Sequence, residues 1–237
     1  MNSAIQPLNY EHHNQVKIQT KGQYFHTKNQ QIVPVVIHEF SRTGAEMPIV
    51  FVKNTNTGEF QPVALLGFKN DENVFYANQN NEEKWLANYV PAIINHHPFA
   101  LMPTENDANK LQIFLKTDST VISTEEGSAL FDEQGQETEY LKQRKNVLAT
   151  YYENTLITKQ FVESLADNDL LIKQQLTITL QGEDYAIDGV YLVNEKTLNE
   201  LPDNEFLALR KRGYLSAIYI HLGSIHQLTR LAALKTK

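Results

Sequence analysis

The chain contains no cysteine. That excludes disulfide scaffolds, thiolate zinc sites, iron–sulfur clusters and cysteine nucleophiles, and it suits a reducing compartment. Glycine is scarce, at 10 of 237 residues. No Gly-x-Gly-x-x-Gly run, Walker loop or Gly-x-Ser-x-Gly elbow is present, so the phosphate-cradling and hydrolase motifs are absent. Long apolar runs are also missing. The longest stretches, residues 33–37 and 62–66, fall far short of the roughly 20 residues of a membrane helix, so no membrane insertion is expected. Residues 1–10 show no basic region followed by an apolar run, so the expected location is cytoplasmic, export by a signal-independent route aside. Positive charge is in deficit. Lys plus Arg total 21 against 28 Asp plus Glu, a net charge of −7. Phosphate neutralisation needs clustered cations, so nucleic acid is not an expected partner. The densest basic cluster, Arg210-Lys211-Arg212, reads as the last turn of a helix, where cations meet the negative end of the dipole.

What is present suits a globular chain. Hydrophobic residues make up 41% and charged residues 21%. A chain of this length buries roughly 70% of its extended surface and builds a core without metals or disulfides. Residues 32–37 are β-branched, with Pro34 marking an edge or a strand start. Residues 48–52 and 62–68 read as a hairpin around Asn56-Thr57-Gly58. Residues 69–84 are polar and turn-rich, apart from Val74, Phe75 and Tyr76. Trp85, Leu86, Tyr89 and Val90 fall at helical spacing, Pro91 ends that helix, and 92–95 start a second short one. Residues 111–115 and Val121-Ile122 read as strands, and 132–135 as a turn. A long helix is predicted over 139–165, with Leu141, Leu148, Tyr152, Leu156 and Val162 as its buried stripe and Asn168 as its C-cap. Residues 176–180 and 185–193 form a second hairpin candidate through Gly182. Asn194 and Asp203 are N-cap candidates. Gly213 closes the basic helix. Leu215, Ile218, Leu222, Ile225 and Leu228 mark an amphipathic C-terminal helix. The mixture lacks a βαβ rhythm, so the expected class is α+β, with mostly antiparallel strands and several helices.

Catalytic signatures are sparse. Of eight histidines, His38-Glu39 lacks the second histidine of a zinc-protease helix. His96 and His97 are adjacent and diverge on any regular element. His221 and His226 lie about 140° apart on a helix. An enzyme with a dispersed metal site, drawn from His38, Glu39, His96, His97 or His221, is the rival interpretation. The carboxylate pairs Glu82-Glu83, Glu125-Glu126 and Asp132-Glu133 sit in turn-rich contexts that suit a solvated face. The most unusual stretch is residues 85–99, WLANYVPAIINHHPF. It holds the only tryptophan, two prolines, two histidines and further aromatics with polar tips, a composition that suits either core or a ligand wall.

A resemblance runs over most of the chain. Its pieces are Glu39-Phe40, Met47-Pro48-Ile49-Val50-Phe51, Val63-Ala64-Leu65-Leu66-Gly67, Asn73-Val74-Phe75, Trp85, Tyr89-Val90-Pro91-Ala92 and Pro98-Phe99. Further along come Leu130-Phe131-Asp132 with Gly135, and Gly189-Val190-Tyr191 with Leu198 and Leu201. The last are Gly213-Tyr214-Leu215, Tyr219, His221-Leu222 and Ser224. In order and spacing these resemble the bacterial SapC family, which is distinct from saposin C and from the peptide-transport permease of similar name. Similar proteins often carry arginines just before the Pro-Phe pair, where this chain has Asn95, His96 and His97. If those arginines bind an anion, histidine does so only in part at neutral pH. The resemblance implies an accessory role in handling peptides or nutrients; its name, from a surface-layer gene cluster, raises a surface-layer-associated structural role as a third alternative.

The expectation is therefore a single domain over 1–237, with room for a sub-boundary near 100–110. It is expected to bind a small molecule, a peptide or a partner protein, with no catalytic residue, no cofactor and no metal. Candidate ligand-binding residues are Glu39, Arg42, Trp85, Tyr89, Asn95, His96, His97, Phe99, His221 and Ser224.

Overall fold

A computed structural model describes residues 5–21, 23–80, 82–104 and 107–235. Four residues of the amino-terminal stretch, and Asn81 in the polar segment 69–84, lie outside the described residues. The strands are β1 (Ile5–Pro7), β2 (Lys17–Ile18), β3 (Ile32–Pro34), β4 (Ile49–Lys53), β5 (Phe60–Leu65), β6 (Tyr76–Gln79) and β7 (Glu82–Trp85). They continue as β8 (Phe99–Thr104), β9 (Asp107–Lys116), β10 (Ile122–Ser123), β11 (Ser128–Ala129), β12 (Leu171–Leu180) and β13 (Glu183–Val193). The helices are α1 (Tyr10–His13), α2 (Phe40–Gly44), α3 (Ala92–His96), α4 (Glu139–Asp167), α5 (Glu195–Asn199), α6 (Asp203–Lys211), α7 (Tyr214–Ser224) and α8 (Leu228–Lys235). The described strand pairings are antiparallel. The class is α+β, as the mixed pattern predicts.

The chain folds into two compact units. One gathers residues 1–27, 78–84 and 92–153; the other gathers 28–77, 85–91 and 154–237. The first unit holds the sheets β1-β9-β8 and β10-β2-β11. Its core joins Ile18, Phe99, Ile113, Leu115, Val121 and Leu130 to Leu141 and Leu148 of α4. Thr138 caps α4, its hydroxyl accepting the Leu141 N–H at 3.3 Å.

The second unit is built on the sheet β12-β13-β4-β5-β3. Pro34 sits on its edge strand, where a missing N–H removes no ladder bond. The β4–β5 turn follows from its residues. The Asn54 side chain accepts the N–H groups of Asn56 and Thr57, and Gly58 takes φ 74°. The β12–β13 hairpin turns through Gln181 and Gly182, both at positive φ, the twist a two-residue hairpin needs. Helix α7 lies so close to α2 that a Cβ on Gly44 would sit 2.9 Å from Ile220 Cγ2. Phe40, Phe51 and Phe161 are wholly buried, and Phe161 meets Phe40 and Tyr214 edge-on. Each such side chain contributes about 1.5–3 kcal/mol by leaving water.

Four local expectations are corrected. Residues 85–90 are not a helix: β7 ends at Trp85, and bends follow. The buried stripe of α4 omits Leu156, which is 48% exposed, while Leu141, Leu148 and Val162 are buried. Asp169, not Asn168, takes the left-handed turn after α4, while Asn168 Nδ2 bonds back to the Ser164 carbonyl. Asp203 begins α6 rather than capping it. The C-terminal helix is present but breaks into α7, a 3₁₀ turn and α8. Its buried face is Tyr214, Ala217, Ile218, His221 and Ser224, a stripe that carries polar side chains inward.

Candidate functional site

Residues 85–91 belong to the second unit and 92–99 to the first, so the unusual stretch divides between the two. Six of the ten candidates, Glu39, Arg42, Trp85, Tyr89, His221 and Ser224, lie in the second unit. The other four, Asn95, His96, His97 and Phe99, lie in the first.

In the second unit the segment after Trp85 is shaped by buried carboxylates rather than by helical hydrogen bonds. Glu39 ends a 3₁₀ turn and is buried. Its Oε1 accepts the Val36 N–H at 2.9 Å, and its Oε2 accepts the Tyr89 O–H at 2.7 Å. Glu46, also buried, accepts the N–H of Tyr89 on Oε1 and that of Asn88 on Oε2, each at 3.0 Å. Arg230 of α8 closes the same carboxylate with an Nη2–Oε2 distance of 2.8 Å. The Trp85 indole N–H donates to the Tyr89 carbonyl at 2.8 Å, and its ring stacks on Phe75. Charged acceptors make shorter and stronger bonds than neutral ones. They therefore hold backbone N–H groups that a helix would otherwise have paired internally.

Arg42 is turned outward from this arrangement. Arg42 is exposed, with its guanidinium carbon 4.7 Å from the Tyr89 ring centre. No carboxylate among the described residues forms an ion pair with it. Trp85 and Tyr89 are half-buried and Leu86 is exposed, so aromatic and aliphatic surface flanks the cation.

His221 and Ser224 are placed in the interior. The Val193 N–H donates to His221 Nε2 at 3.1 Å, which fixes the proton on Nδ1 and makes that nitrogen the donor to the Ile49 carbonyl at 2.8 Å. Burial pushes the imidazole down to about 4, against the pull of the Ile49 bond. Ser224 Oγ accepts the Ile49 N–H and donates to the His221 carbonyl. The two side chains pin α7 to the sheet.

In the first unit His97 stacks on His26, with ring centres 3.8 Å apart and planes within 10°. His97 Nε2 and Ser119 Oγ share a hydrogen bond at 2.6 Å. Burial lowers His97 to about 3, helped by His26 and Lys116. Burial likewise lowers His26 to about 4, opposed by a backbone bond with Gln23 and aided by Lys116. His96 is buried at the end of α3 with its ring edge-on to Tyr151, and neither ring nitrogen has a partner among the described residues. Burial and the Arg144 charge push it to about 4. Asn95 is exposed, and its carbonyl accepts from Arg144 Nη1. Phe99 is part of the core.

Among the described residues, no three His, Asp or Glu side chains converge to hold a metal ion. No helix among them is long and apolar enough to cross a membrane. Sequence reasoning missed Glu46 and Arg230. The signal for Glu46 was a lone carboxylate inside the otherwise uncharged run Gly44-Ala45-Glu46-Met47-Pro48; Arg230, 184 positions away, gave none.

The family model of SapC matches residues 8–231, nearly the whole chain and parts of both units. No curated protein and no solved structure matches the chain.

Proposed function

This chain belongs to the SapC family, and from that premise we propose that it is a non-catalytic binding or accessory protein. Its ligand, a peptide or small molecule bearing a carboxylate, meets the surface made by Arg42, Trp85, Leu86 and Tyr89. The observation that carries this reading is the exposed Arg42 guanidinium lying over the Tyr89 ring and forming no ion pair among the described residues. A stacked guanidinium keeps its in-plane N–H donors for a planar carboxylate, and the neighbouring rings supply apolar contact. The candidates that could move protons support the same reading. Glu39 grips Val36 and Tyr89, while His221 and Ser224 bond to the sheet backbone.

Trp85 is the only tryptophan, so tryptophan emission, excited selectively over the 11 tyrosines, reports on this surface. Titration of the intact protein with short free-carboxylate peptides and simple carboxylates, with amidated peptides as controls, tests the proposal. A saturable emission change confined to free carboxylates is expected. Arg42→Gln should weaken it roughly tenfold, the scale of one lost charge-assisted contact, with an unchanged melting temperature. Trp85→Ala, followed by scanning fluorimetry, should lose the ligand-induced shift. Equal binding by Arg42→Gln, or unmoved emission throughout, overturns the proposal.

A further inference from the structure

A cleft of about 790 Å³ lies between the carboxy-terminal half of α4 and helix α6 in the second unit. Both walls are regular helical stripes. On α4 they run through Ile157, Gln160, Ser164 and Asp167, and on α6 through Glu205, Ala208 and Leu209 to its C-cap Arg212. Steps of three and four place each set on one face. Two adjacent ridges of this kind leave a channel that suits a third helix. The floor is apolar, with Leu209 buried, while Ile157 stands 40% exposed and its neighbour Leu156 48% exposed. The rim is charged. Glu163, Asp167 and Glu205 oppose a single cation, Arg212, which leaves two unbalanced negative charges. Among the described residues none of these four forms an ion pair. The nearest described influence is that of Glu163 on Lys159, whose ammonium is already paired with Glu59.

We infer that this cleft docks an amphipathic basic helix of a partner protein. Its apolar face covers Ile157 and Ala208, and its Lys or Arg side chains meet Glu163, Asp167 and Glu205. The argument is one of complementarity. Apolar side chains left exposed on the two walls, Ile157 and Ala208, lie beside carboxylates that form no ion pair among the described residues, so one ligand with an apolar stripe and cationic flanks satisfies both. The surface is distinct from the Arg42 face, which calls for the opposite charge.

The probe is a fluorescein-labelled helical peptide of Leu, Ala and Lys, with a Glu-for-Lys version as control, titrated against the full chain by anisotropy. The Lys peptide is expected to bind and the Glu peptide to fail. E163Q/D167N/E205Q should weaken binding at least roughly tenfold, and added salt should shrink that difference. Neutralising three exposed carboxylates outside the cleft, E125Q/E126Q/E133Q, should change affinity less than about twofold. Ala208→Trp, on an exposed position, should fill the channel and abolish binding while leaving the melting temperature in place. Equal losses from the two triple variants would mean general attraction to an acidic protein and would overturn the inference. So would undiminished binding by Ala208→Trp. A dimer of the unliganded protein that Ala208→Trp dissociates would also overturn it, by assigning the cleft to a second copy of this chain.

Discussion

His221 in the second unit and His96 in the first are both buried, at 0% and 6% exposure. Burial lowers both to about 4, so both are neutral at pH 7. Their surroundings differ in one respect. His221 gives and receives a backbone hydrogen bond, to Ile49 and from Val193, whereas neither nitrogen of His96 meets a partner among the described residues. Equal burial and equal charge therefore imply opposite contributions. An imidazole that pairs two backbone groups contributes about what those groups would lose if left bare. One that pairs none carries a desolvation cost that nothing offsets.

The largest expected effect comes from removing the satisfied member. His221→Leu leaves the Val193 N–H and the Ile49 carbonyl unpaired in the interior. A loss of roughly 3 kcal/mol is expected, at about 1–3 kcal/mol per orphaned group. Denaturant unfolding followed by Trp85 emission, which reports on the same unit, measures it. A loss below about 1 kcal/mol would remove the distinction between the two histidines.

Acid should narrow the comparison. Above about pH 6.5 these imidazoles are neutral in both folded and unfolded chains and add no pH dependence. Below it the unfolded chain takes up protons that the folded chain refuses until about pH 4, and for His97 until about pH 3. Stability should therefore fall as pH drops through this window, each titrating imidazole adding at most about 1.4 kcal/mol per pH unit. His26 and His97 are only half-buried, so solvent reduces their share. Melting temperatures between pH 7.5 and 4.5 would show the decline. A flat profile would argue that these groups titrate alike folded and unfolded, and His96→Phe and wild type declining in parallel would argue the same of His96 alone.

The smallest effect is predicted for the unsatisfied member. His96→Phe keeps the edge-on contact with Tyr151, deletes two buried polar atoms and orphans no protein group. Stability at pH 7.5 should stay level or rise by up to about 1 kcal/mol. A clear loss, read by circular dichroism during denaturation, would show that a ring nitrogen is in use.

Much of the architecture was legible because local chemistry fixed it. The β4–β5 and β12–β13 hairpins were visible from alternating β-formers around Gly58 and Gly182. The edge position of β3 followed from Pro34, the length of α4 from its spacing, and the end of α6 from Gly213. The segment after Trp85 was misread because helical spacing records side chains alone. Its N–H groups are taken by Glu46, some forty positions earlier. The candidate site was legible in composition and only partly in place. Arg42, Trp85 and Tyr89 come together, His221 and Ser224 turn inward to the sheet, and residues 92–99 fall in a separate unit.

The sequence by itself determined the α+β class, the family, the turns and the absence of thiol chemistry, because each depends on residue type or on neighbours within a few positions. Tertiary structure alone decided which polar side chains are consumed and which stay outward. Tyr89 reaches back fifty positions to Glu39, and His221 reaches back 172 to Ile49. Whether a carboxylate or an imidazole serves the fold or faces a ligand depends on partners that only chain folding brings within 3 Å, and no local pattern encodes that distance.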